Sequence, residues 1–152
     1  MRTLARTVHM IGLAAFVGTV LSHVLVSVVA DPSDPVRYHA LMVLKDTGTQ
    51  FVLIPGLVLM GLSGIVMVRR MPRPWPAWLT VKLGLVAAAA ANGLLVLLPA
   101  GARIAEAASA GAQAPDALAR EAIAGPVNVA LILAIVVLSI ARPSRRRTEA
   151  LS

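Results

Sequence analysis

The sequence predicts an all-α protein, a four-helix transmembrane bundle running up-down-up-down with both termini cytoplasmic. Three observations predict it. Hydrophobic residues make up 58% of the chain and charged residues only 14%, against about 45–50% and about 25% in a soluble domain. The apolar residues fall in four long blocks, too many to hide in a soluble core of this size. Basic residues gather at the ends of those blocks and alternate in register with them.

A helix needs about 20 apolar residues to cross the hydrocarbon. The first predicted span is 8–30, stopped by Asp31-Pro32-Ser33-Asp34-Pro35, which cannot continue in lipid. Arg2 and Arg6 before an apolar run imitate a signal peptide, but the run is longer than the ~7–15 residues of a signal core and carries His9 and His23, so a retained span is expected. Residues 36–49 read as a short polar connection. The second span, 50–68, ends at Arg69-Arg70, with a kink expected at Pro55-Gly56. A proline-rich turn, 71–76, leads to the third span, 77–98, ended by Pro99 and Gly101. Residues 101–124 read as an Ala-rich outer segment, part helix. The fourth span is 122–141, with Pro126 near its first turn. The tail, 143–152, is basic and is expected to be disordered.

Orientation follows from the charges. Arg2 and Arg6, then Arg69, Arg70 and Arg73, then Arg142, Arg145, Arg146 and Arg147 mark the cytoplasmic side. The other two connections balance Arg37 and Lys45 against Asp31, Asp34 and Asp46, and Arg103 and Arg120 against Glu106, Asp116 and Glu121. The net charge of +7 therefore reads as helix anchoring and contact with the lipid bilayer, not as a nucleic-acid footprint. The absence of cysteine excludes disulfides, thiolate metal sites and a cysteine nucleophile.

Small residues four apart predict close helix contacts in lipid: Ala14, Gly18 and Ser22 on the first helix, Gly84, Ala88 and Asn92 on the third, and Gly61 and Gly64 on the second. A four-span bundle is thin, so a homodimer or larger membrane complex is expected. Polar groups inside the bilayer are costly and each needs a reason. They are His9, His23, Lys82, Asn92 and Asn128, with Gln50 nearer an edge. At 3.6 residues per turn His9, Gly12, Phe16, His23 and Ser27 share one side of the first helix, bordered by Thr19, which should face the bundle. His9 and His23 lie about 21 Å apart along the axis, so they serve different depths. Lys82 should lie at the depth of His9. His23, Asn92 and Asn128 form a possible second group, with His39 near the mouth.

Each residue also has an ordinary role. Lys82 can snorkel to the interface, His9 can bond a neighbouring carbonyl, and His23 can bond Asn92 or Asn128. The asparagines can join helices, and His39 can be a surface residue. The functional alternative is haem ligation, since imidazole is an axial ligand and an apolar helical bundle suits a porphyrin. Lys82 would be a second ligand if neutral, or a propionate partner if charged. No two histidines stand at i, i+3 or i, i+4, which disfavours zinc or copper. The scattered methionines read as packing.

His9 through Gly18 (HMIGLAAFVG), Phe51 through Gly64 (FVLIPG to GLSG) and Trp78 through Leu83 (WLTVKL) together resemble, over residues 8–98, the copper-resistance D-like superfamily of bacterial four-helix membrane proteins. The chain is most similar there to an uncharacterised group of predicted integral membrane proteins. It is similar more distantly to the membrane protoporphyrinogen IX oxidase family, whose opening histidine and Trp-x-x-x-Lys-Leu bind haem b and act on the porphyrinogen. The resemblance implies haem b at His9, with Lys82 beside it in a binding or catalytic role, in a multi-pass protein of the bacterial plasma membrane. The chain departs from the oxidase pattern at Phe16, where that family has tryptophan, and at Leu21-Ser22-His23, where it has an arginine-bearing helix end. Two alternatives stay open: a cofactor-free structural or accessory subunit, and a copper-ion handling protein using His23 and His39.

Overall fold

The computed structural model describes residues 2–71 and 73–141. The predicted disordered tail, 143–152, lies outside the described residues. Those residues form four long helices and no strand. Helix α1 is Arg2–Val29. Helix α2, Pro35–Gly48, continues through a π-helical turn, Thr49–Leu53, into α3, Ile54–Arg69, as one rod of 35 residues. Helix α4, Ala77–Asn92, continues through a second π-turn, Gly93–Leu97, into α5, Leu98–Ser109, as a rod of 33 residues. Helix α6 is Pro115–Ile140. All four are long and apolar enough to cross a membrane, as an integral multi-pass protein requires.

Three sequence expectations are corrected. Residues 36–49, read as a connection, are helical: all but Thr49 lie in α2, and Thr49 opens the π-turn. Asp34 caps that helix by accepting from the Arg37 amide at 3.1 Å, and Pro35 supplies a preset first turn. Pro99 and Gly101 do not end the third helix. A proline clashes with the carbonyl four residues back, and here each of Pro55 and Pro99 follows a π-turn that widens the helix locally. The amides of Ile54 and Leu98 accordingly bond five residues back, to Thr49 and Gly93. Third, the last helix starts at Pro115, so Pro126 lies in its interior.

The connections obey local chemistry. The Ser33 amide donates to Asp31 at 2.9 Å, which lowers that carboxyl's pKa. Gly111, at φ 68°, closes α5. Its amide bonds Ala108, and the Ala112 amide bonds Ala107, so two carbonyls at the helix end are satisfied.

Helix α1 packs along the α2–α3 rod, and α6 along the α4–α5 rod. Residue numbers on α1 rise as their partners' fall, from His9 against Ser63 to His23 against Thr49, so this pair is antiparallel. The two pairs meet through α2 and α5. We call that end the head, and the end holding residues 70–71 and 73–76 the foot.

The buried apolar residues concentrate at the head: Val26, Tyr38, Met42, Ala100, Ile104, Ala108 and Ala117 form one cluster. Ala100, Ile104 and Ala108 are four apart on α5, with Arg103 and Glu106 on its exposed side. A 35-residue rod is about 52 Å long, against about 30 Å of hydrocarbon. Large apolar side chains stay exposed at both ends, Leu62, Ile65, Val81, Leu133 and Val137 at the foot and Val28, Val36 and Leu44 at the head.

Candidate functional site

The first site lies on the α1–α3 seam. His9 Nδ1 is 3.0 Å from the Met60 carbonyl and 3.2 Å from Ser63 Oγ. Ser63 Oγ has one proton and itself lies 2.6 Å from the Leu59 carbonyl. A carbonyl can only accept, so Nδ1 carries the proton and donates to Met60. Nδ1 is thereby engaged, and Nε2 is the ring nitrogen left for another partner. The ring packs against Gly64, where a built Cβ would lie 3.6 Å from His9 Cε1, an ordinary van der Waals contact.

The seam closes at two glycines. A Cβ on Gly12 would come within 2.7 Å of the Gly56 carbonyl oxygen and 2.8 Å of the Met60 amide. A Cβ on Gly56 would lie 3.1 Å from Ala15 Cβ and from the Gly12 oxygen. The expected contact stripe of Ala14, Gly18 and Ser22 is corrected by this geometry. Those residues are exposed and line an open groove of about 340 Å³, and a Cβ on Gly18 would meet nothing within 4 Å. Gly61 and Gly84 have equally open surroundings. Lys82 is half-buried on α4, four residues after Trp78.

The second site lies toward the head. His23 Nε2 is 3.5 Å from Thr49 Oγ1, which also bonds the Lys45 carbonyl at 3.0 Å. The possible group of His23, Asn92 and Asn128 does not form. Asn92 Nδ2 instead donates to the Ala124 carbonyl at 2.9 Å and lies 3.4 Å from Asn128 Oδ1, tying α4 to α6. His39 is exposed on α2, ten residues before Thr49, so it stands about 15 Å along the helix from the level of His23. Gln50 is exposed and bonds Asp46.

Sequence reasoning missed the charged group beside His23. Lys45 of α2 forms an ion pair with Glu121 of α6, and Lys45 Nζ also donates to Ser27 Oγ of α1 at 3.0 Å. Side-chain exposures of 11% for Lys45 and 20% for Glu121 put this pair largely out of water. Tyr38 Oη and Glu121 Oε2 are buried without a hydrogen-bond partner among the described residues. Along the sequence both charges read as loop charges. The signal was the helical spacing of Tyr38, Met42, Lys45 and Thr49, which puts all four on one face of α2.

Comparison with protein-family models, curated proteins and solved structures found no match. The residues themselves therefore carry the chemistry.

Among the described residues no three His, Asp or Glu side chains converge to hold a metal ion. Haem needs less from the protein, because the porphyrin supplies four nitrogens and one axial histidine suffices. His9 suits that role: a ligating imidazole typically donates its other nitrogen to a carbonyl, which fixes ring and tautomer. The seam itself is too tight for a porphyrin at Gly12 and Gly56. The cavities of about 340 and 430 Å³ are lined by other residues than His9 and Lys82. Any porphyrin served by Nε2 must therefore lie outside the α1–α3 seam.

Proposed function

We propose that this chain is a multi-pass protein of the bacterial plasma membrane that binds haem b through His9 and serves electron transfer or an oxidoreductase reaction. The chain crosses up-down-up-down with its foot and both termini in the cytoplasm. Arg69, Arg70 and Arg73 at the foot agree with the positive-inside rule. The single supporting observation is His9 in an apolar span, its Nδ1 tied to the Met60 carbonyl, which leaves Nε2 as the ring nitrogen for a ligand. When bound, haem would supply one-electron chemistry. His9 would hold the iron, and Lys82 would pair with a propionate while charged or act as a second ligand when neutral.

The test is the visible spectrum of the protein purified from haem-supplied cells. Wild type and His39→Ala are expected to show a Soret band, and His9→Ala to lose it while eluting as a folded species. A colourless wild type, or an unchanged spectrum in His9→Ala, would overturn the assignment.

One observation favours the reading as a cofactor-free structural or accessory subunit: His9 and Asn92 both find carbonyl partners on neighbouring helices. On that reading His9→Ala would lower the melting temperature and alter no spectrum. Copper handling by His23 and His39 gains no such support, because the two histidines stand at different heights.

A further inference from the structure

A cavity of about 430 Å³ lies between α5, the π-turn below it and α6. Its foot-side wall is apolar, with Leu95, Val96 and Pro99. Its head-side wall carries Arg103 of α5 and Arg120 of α6. Both arginines are exposed, and neither makes a salt bridge or side-chain hydrogen bond among the described residues. Glu106 and Asp116 share their helices, three and four residues away, yet do not pair with them. The cavity sits where the apolar stretch 77–98 gives way to a segment bearing Arg103 and Glu106, a change of composition expected at a membrane boundary.

We propose that this cavity binds an anionic membrane lipid, with its phosphate between Arg103 and Arg120 and an acyl chain against Leu95 and Val96. Guanidinium groups present planar donor pairs that match phosphate oxygens, and two of them offset the charge of one phosphodiester. The order of the walls, cationic toward the head and apolar toward the bilayer centre, is the order of a lipid in its leaflet. Leu95 belongs to the π-turn ahead of Pro99, so the widened backbone that accommodates the proline also shapes the apolar wall. The site is separate from His9, and this assignment rests on the placement of the helices in the membrane but not on haem.

A soluble phosphate would satisfy the arginines equally well, so the test separates the two sources. The full chain, in nanodiscs of zwitterionic lipid, is titrated with dihexanoyl phosphatidic acid, dihexanoyl phosphatidylcholine and inorganic phosphate. Phosphatidic acid is expected to bind saturably and tightest. Arg103→Gln/Arg120→Gln is expected to weaken it at least about tenfold, the loss of a charge-assisted contact. Arg73→Gln, at the foot, should bind as wild type. Leu95→Ser should weaken phosphatidic acid without changing phosphate binding. The double variant alters only exposed side chains, so its melting temperature should match wild type. Equal binding by the double variant, or inorganic phosphate binding as tightly as the lipid, would overturn the proposal.

Discussion

Gly12→Val is expected to break the α1–α3 seam. The new Cβ would fall 2.7 Å from the Gly56 oxygen and 2.8 Å from the Met60 nitrogen. Both are backbone atoms, so no rotamer change can make way, and α1 must lift off α3. Overpacking costs about 1–3 kcal/mol and occasionally more, and a clash with two backbone atoms belongs at the upper end. Lifting α1 also pulls His9 from Met60. The expected result is a large loss of melting temperature and of folded yield in detergent. Gly18→Leu supplies the contrast. Its side chain enters an open groove, so it should melt within a degree or two of wild type. Equal melting of Gly12→Val and Gly18→Leu would show that the helices do not meet at Gly12.

Lys45→Met should be nearly as damaging, for a different reason. It strands the Glu121 carboxylate, only 20% exposed, without its cation. Breaking one side of a buried pair costs about 3–5 kcal/mol, whereas replacing both charges by apolar groups is often close to neutral. Lys45→Met/Glu121→Leu should therefore be more stable than either single variant. A double-mutant cycle in denaturant unfolding measures this coupling. Additive single effects would mean that the pair does not bind α2 to α6.

The four spans could be read from the sequence because lipid imposes a coarse rule: about 20 apolar residues, flanked by charge. The side of α1 bearing His9, Gly12, His23 and Ser27 was also legible, since 3.6 periodicity places these residues together, and all four contact the α2–α3 rod or the head group of charges. The head was not. Residues 36–49 carry charges and adjoin prolines, which are loop signals along a single chain, but Asp34 caps the helix and the π-turns carry it past Pro55 and Pro99. Read as connections, those segments leave Lys45 and Glu121 solvated and hide their pairing. The small-residue stripe of Ala14, Gly18 and Ser22 failed for another reason. Spacing tells which residues could allow a close approach, but not which face the neighbour chooses, and α3 meets Gly12 and Ala15 instead.

The proposed topology has the two rods crossing the bilayer with their heads outside the cell and the foot inside. The chain has no cysteine, so single cysteines can be placed against a clean background. His39→Cys on α2 and Ser109→Cys on α5 are both exposed positions at the head. In intact cells both should react with a membrane-impermeant maleimide, while Trp75→Cys at the foot should react only after permeabilisation. Labelling of Trp75→Cys in intact cells, or protection of His39→Cys and Ser109→Cys, would contradict the account.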